Sequence, residues 1–189
     1  GQNIPSRGNK AWLQADGSVT GAWTNSRITG IIQKYLPMDI VPVMEMNVEN
    51  FETATESMWT NFFTKLGDWV KDVDSTKHVI WDCGAEVNFP DDDPGWNGFK
   101  IDYRNFNPQM TVIRNVIDKL RLQNNIWLAC HFNSHKSYYN STTGSWKSQD
   151  WYTGYVGIKE YLPGAAKCDI IGWSQYEAFS NPAYNPGGI

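Results

Sequence analysis

The stretch VIWDCGAEVNF, residues 79–89, carries two β-branched residues, a Trp and a Cys into Gly84, then presents Glu86, with Asn88 two positions on. A carboxylate at the end of an apolar run suits general acid/base work, because a partly apolar mouth raises its pKa until it holds a donatable proton near neutral pH. Three other apolar runs end in similar chemistry. VPVMEMN presents Glu45 and Asn47, NIWLACHFN leads to His131 and Asn133, and CDIIGWSQYE ends on Trp173, Gln175, Tyr176 and Glu177. Carboxylates, amides, imidazoles and aromatic rings with few basic residues fit a neutral polyhydroxylated ligand, whose hydroxyls need mixed donors and acceptors and whose ring faces stack on Trp and Tyr. A phosphorylated or acidic ligand would call for Arg and Lys instead.

The aromatic residues point the same way. Ten Trp and nine Tyr are present, and many fall in polar loop-like stretches such as DDDPGWNGF and TTGSWKSQDWYTGY. Trp96, Trp146 and Trp151 are therefore candidate sugar platforms, because a flat ring in a loop commonly serves a ligand face. No metal or cofactor is expected. Cys130, His131 and His135 lack a fourth ligand at a zinc spacing, and the acidic loop PDDDPG, 90–95, reads as solvated rather than calcium-binding. Cys83, Cys130 and Cys168 are odd in number and widely spaced, so they are read as buried free thiols. Asn140 opens the glycosylation tripeptide NST.

The elements that must position these residues follow from periodicity. Near-continuous apolar runs at 39–46, 78–84, 125–132 and 168–176 predict buried strands of a parallel sheet. Helical spacing predicts one amphipathic helix within 51–73, bearing Trp59, Phe62, Phe63 and Leu66, and a second starting at Asn107 as N-cap with Pro108 in its first turn. Weaker patterns predict helices at 25–36 and 153–162, the latter ending before Pro163. The alternation of helix and strand predicts an α/β fold with right-handed crossovers, and no Gly-rich phosphate loop follows any strand. A (β/α)8 TIM barrel is the expectation, but only about four of its eight strands are counted, so the chain is expected to represent part of a barrel, with its strand edges open.

Length and charge exclude other classes. The 189 residues suit one domain, 1–189, and 41% hydrophobic content allows a core. A net charge of -4 without a basic stretch argues against nucleic acid, and no apolar run is long enough to span a bilayer. The N-terminal GQNIPSRGNK lacks the apolar middle of a signal peptide, which fits a mature or trimmed product.

With these motifs in order, the chain resembles glycoside hydrolase family 26, the mannanase and lichenase group of TIM-barrel retaining glycosidases. Gly84, Glu86 and Asn88 are similar to the family's Gly-His-Glu-x-Asn motif at the end of strand four, and Trp127 and Asn133 to its strand five. Tyr161, Pro163, Gly164, Asp169, Ile171, Gly172 and Tyr176 are similar to its strand-six region, so about residues 39–178 resemble strands three to six. The resemblance implies a secreted or cell-surface enzyme cleaving β-mannan or mixed-linkage β-glucan with retention, a polysaccharide or oligosaccharide partner, and the remainder of the barrel or further domains elsewhere. It implies Glu86 as acid/base, Asn88 orienting it or holding a hydroxyl, and Tyr176 supporting the nucleophile. Substrate contacts would come from Glu45, Trp96, Trp127, His131, Asn133, Trp146, Trp151 and Trp173. Two features depart from the family: Ala85 replaces its His, and its nucleophilic Glu would lie beyond Ile189. Glu177 is the second catalytic candidate within the chain. The alternative reading is a non-catalytic glycan-binding or cell-surface structural protein on a degenerate barrel.

Overall fold

The computed structural model describes residues 10–84, 87, 101–133, 137–140, 145–148 and 158–174. In chain order the elements are β1 (Lys10–Leu13), β2 (Val19–Gly21), α1 (Asn25–Tyr35), β3 (Val43–Glu45), β4 (Asn47–Val48), α2 (Glu56–Asp74) and β5 (Val79–Asp82). They continue with α3 (Tyr103–Lys119), β6 (Ile126–Asn133), β7 (Ser137–Asn140), β8 (Ser145–Ser148), α4 (Ile158–Ala165) and β9 (Ile170–Ser174).

The fold is α/β, built on a four-stranded parallel sheet of order β3-β5-β6-β9. Each expected strand supplies one member. The described residues show no closed barrel, and β3 and β9 form the edges of this sheet. The expected strand 39–46 divides: β3 pairs with β5, Met46 donates its N–H to the Asp82 carbonyl at 3.1 Å, and β4 then leaves to pair with β1. A small sheet of order β2-β1-β4 results, which the hydropathy pattern did not announce.

Helices cover one face of the parallel sheet. Residues alternate between faces along a strand, so Val79 and Trp81 of β5 and Leu128, Cys130 and Phe132 of β6 face the helices, and all are buried. Trp81 packs in an aromatic cage from α2, with ring centroids 5.7 Å from Trp59 and 5.3 Å from Phe63. Phe132 meets Phe106 of α3 at 6.1 Å and Tyr161 of α4 at 5.6 Å. The Tyr161 hydroxyl donates to the Ile101 carbonyl at 2.8 Å, which satisfies its polar end inside the core. Cys83 and Cys130 are buried and Cys168 half-buried, all three as free thiols.

Helix α3 begins earlier than its sequence indicates. Asp102, not Asn107, is the N-cap: its Oδ1 accepts the Arg104 N–H at 2.8 Å, while its own N–H is held by Glu52 at 2.9 Å. Pro108 therefore lies inside the helix, where it removes a backbone donor. Asn107 instead joins two helices. Its Oδ1 accepts the Gly164 N–H and its Nδ2 donates to the Glu160 carbonyl, both at 2.9 Å, so α4 is tied to α3. That tie accompanies another difference, because α4 runs through Pro163 to Ala165 rather than stopping before it. Among the described residues no helix is long and apolar enough to cross a membrane.

Candidate active site at the strand ends

The other face of the sheet carries no helix among the described residues, and strand register decides what lies on it. Glu45 of β3 is paired with Asp82 of β5, and Asp82 with Ala129 of β6. Partners in register share a face, so Glu45, Asp82 and Ala129 form one row, and His131, two residues past Ala129, joins it at the C-terminal end of β6. One nitrogen of His131 and one oxygen each of Glu45 and Asp82 lie within 4.8 Å of one another. His131 Nδ1 stands 3.5 Å from Glu45 Oε2.

Asp82 is the most deeply set of the three, with 6% of its surface exposed. Burial pushes its carboxyl up to about 7, and the Glu45 charge adds to the rise, while the Gly84 amide and His131 pull it down. The carboxyl therefore keeps its proton well above the ordinary carboxylate range. The contact to Gly84 follows from the turn: Gly84 has φ +145°, a conformation that L side chains rarely adopt, and its N–H reaches Asp82 Oδ1 at 3.2 Å. Val87, also buried, donates its N–H to the His131 carbonyl at 3.1 Å and accepts the Ile101 N–H at 3.0 Å, which fastens the chain past β5 to the end of β6. On β9, Gly172 is the register partner of His131 and contributes no side chain, and a Cβ there would meet nothing closer than 3.9 Å. These three side chains can exchange protons, hydrogen-bond hydroxyl groups or ligate a cation.

The residues expected from sequence divide into three groups. Glu45 and His131 come together, with Asp82, which sequence reasoning missed. Trp127 lies on the same face but four residues before His131, about 13 Å along the strand. There it stacks on His78 with centroids 4.1 Å apart and planes 16° from parallel, 39% exposed. Asn133, Trp146 and Trp173 fall on β6, β8 and β9, and their side chains lie outside the described residues, as do Glu86, Asn88, Trp96, Trp151, Tyr176 and Glu177 entirely. Asp169, part of the strand-six resemblance, has a structural role: its Oδ2 accepts the Leu128 N–H at 2.8 Å and pairs with Arg114 at 2.7 Å, setting β9 beside β6. The signal that would have found Asp82 is alternation, since it lies an even number of residues from the outward Ile80 and odd from the buried Trp81.

No family model matches the chain, and no curated protein matches it.

Proposed function

We propose that this chain is part of a (β/α)8-barrel glycoside hydrolase that cleaves a β-linked polysaccharide, β-mannan or mixed-linkage β-glucan, outside the cell or at its surface. The observation that carries the reading is the sheet face that bears no helix among the described residues. A barrel lumen is lined by alternate residues of parallel strands, apolar below and chemically active at the C-terminal ends. Here Val43, Ile80 and Trp127 occupy the lower part of that face, and Glu45, Asp82 and His131 its C-terminal end.

In this reading Glu86 is the acid/base, and its chain neighbour Val87 is anchored at His131. Glu86 protonates the leaving oxygen as a second carboxylate attacks the anomeric carbon, and then deprotonates the water that releases the sugar. The two carboxyls must lie about 5 to 5.5 Å apart for this retaining course. Glu177 or a carboxylate on a later strand fills the second role. Glu45 and His131 hydrogen-bond sugar hydroxyls beside them, and Asn88, Tyr176 and the loop tryptophans hold the rest of the glycan.

The test is release of reducing ends from β-mannan and lichenan by the full-length protein, alongside Glu86→Gln. Cleavage by the wild type and a loss of about 100-fold or more in the variant is the expected result. Glycan binding without any release would overturn hydrolysis in favour of a binding or structural role, which Ala85 already hints at. Equal activity of the variant would remove Glu86 from the chemistry.

A further inference from the structure

We propose that Glu45, Asp82 and His131 bind a divalent cation of the Zn²⁺ or Mn²⁺ class at the C-terminal ends of β3, β5 and β6. Two of its donors, Glu45 and His131, are also sugar contacts in the glycosidase reading, but none is the proposed acid/base.

Spacing supports it first. A tetrahedral ion with bonds of about 2.1 Å sets its donors about 3.4 Å apart. His131 Nδ1 and Glu45 Oε2 are already 3.5 Å apart, and all three donor atoms lie within 4.8 Å, so small side-chain rotations close the set. Register keeps it so, since the three residues stand on adjacent hydrogen-bonded strands rather than on loops.

Asp82 supplies an independent reason. It is more than nine-tenths buried, its Oδ1 accepts the Gly84 N–H, and its carboxyl shares its surroundings with the Glu45 carboxylate and the His131 ring. Two carboxylates against a single imidazole and one backbone amide carry excess negative charge, and the buried one calls for a cation or a proton. The imidazole decides between them. A shared proton needs only the two carboxyls, whereas His131 turns a ring nitrogen to the same point and completes a facial set of three.

The donor types choose the metal. One imidazole with two carboxylates suits Zn²⁺ or Mn²⁺, while Ca²⁺ takes six to eight oxygens, roughly twice what these side chains offer. Cys83 and Cys130 sit near in sequence but on the helix-covered face, so no thiolate joins the set. Gly172, beside His131, leaves space on the fourth strand for water or a ligand hydroxyl to complete the coordination.

The experiment is calorimetric titration of the full-length, chelator-treated protein with Zn²⁺, Mn²⁺ and Ca²⁺, and the visible spectrum of the Co²⁺ form. The expected result is one equivalent of Zn²⁺ or Mn²⁺ bound in preference to Ca²⁺, with no sulfur-to-cobalt charge-transfer band. Asp82→Asn and Glu45→Gln, each checked for native circular dichroism, should weaken binding by more than the roughly tenfold that losing a supporting partner costs. Two ligand variants keep the test open where one misfolds, and His78→Gln, outside the group, should bind as wild type. Absence of a stoichiometric site, a thiolate band, or unchanged binding in both ligand variants would overturn the assignment. Reducing-end release in excess chelator separates the two proposals: the metal site stands or falls on titration, and hydrolysis on sugar release.

Discussion

Trp81 and Trp127 occupy neighbouring strands of one sheet and live under opposite conditions. Trp81 faces α2, fully buried and ringed by Trp59, Phe62 and Phe63. Trp127 faces the side that carries no helix among the described residues, 39% exposed, with His78 stacked on it. The same contrast runs through the whole sheet. Its covered face is a close-packed aromatic layer that also takes in the thiols of Cys83 and Cys130, and burial raises the Cys83 pKa well above the usual range. Its other face carries no helix among the described residues and ends in two carboxylates and an imidazole. Strand alternation lets one set of residues hold the fold together while the next set is free for chemistry, so substitutions one position apart should have different consequences.

The largest effect should come from the covered face. Trp81→Ala empties a large, fully enclosed site, and a loss of about 3 to 5 kcal/mol is expected, enough to lower the denaturant midpoint sharply. Trp81 Nε1 is buried without a hydrogen-bond partner, so Trp81→Phe should cost far less than its lost volume suggests.

Asp82→Asn should act in the other direction, and only at high pH. The native carboxyl titrates at about 7 against 3.8 ordinarily, so between those values the folded state holds a proton that the unfolded chain has released. Stability therefore falls as pH rises from about 4 through 7. Glu45 on β3 and His131 on β6 are the charged groups facing it, and they act in opposite senses. In metal-free buffer the variant is expected to gain on the order of 4 kcal/mol over wild type at pH 8 and nothing at pH 3, read from denaturant curves at both. A constant difference across pH would show that Asp82 is not the titrating group.

Asn107→Ala is next in size. It leaves the Gly164 N–H and the Glu160 carbonyl without their partner, and about 1 to 2 kcal/mol should be lost. Hydrogen exchange should rise in α4 before α3. Smallest is Trp127→Ala, expected to cost under about 1 kcal/mol because its ring is half in water. A cost equal to that of Trp81→Ala would erase the contrast between the two faces.

These two faces were unequally legible in the sequence. The four parallel strands and α2 follow from hydropathy, because long apolar runs and an unbroken helical stripe leave few alternatives, and α1 follows from a weaker stripe interrupted by Gly30. Thr24 and Thr55 cap α1 and α2 as local chemistry dictates, each accepting an amide from three residues ahead. Where the outcome turns on distant partners, local pattern fails. Asn107 followed by Pro108 looks like a helix start, yet Glu52 and Asp102 fix the start earlier. Strands β1 and β4 are too short to show a period. The site is the least legible part: VIWDCG reads as a run buried on both faces, which hides Asp82 within the strand and leaves Glu86, beyond Gly84, as the carboxylate that stands out.

The register that assembles the site also sets when it can exist. Helices α2 and α3 can form from contacts within a few turns, but Glu45, Asp82 and His131 are each separated by a whole crossover and meet only once β3, β5 and β6 have docked. Contacts so distant along the chain close slowly, because loop entropy is lost before the strands pair. In a refolding experiment the helical signal should therefore return first and the paired acids and imidazole last, so any property of that group, from proton uptake to ligand capture, reports the finished molecule and not a collapsed intermediate.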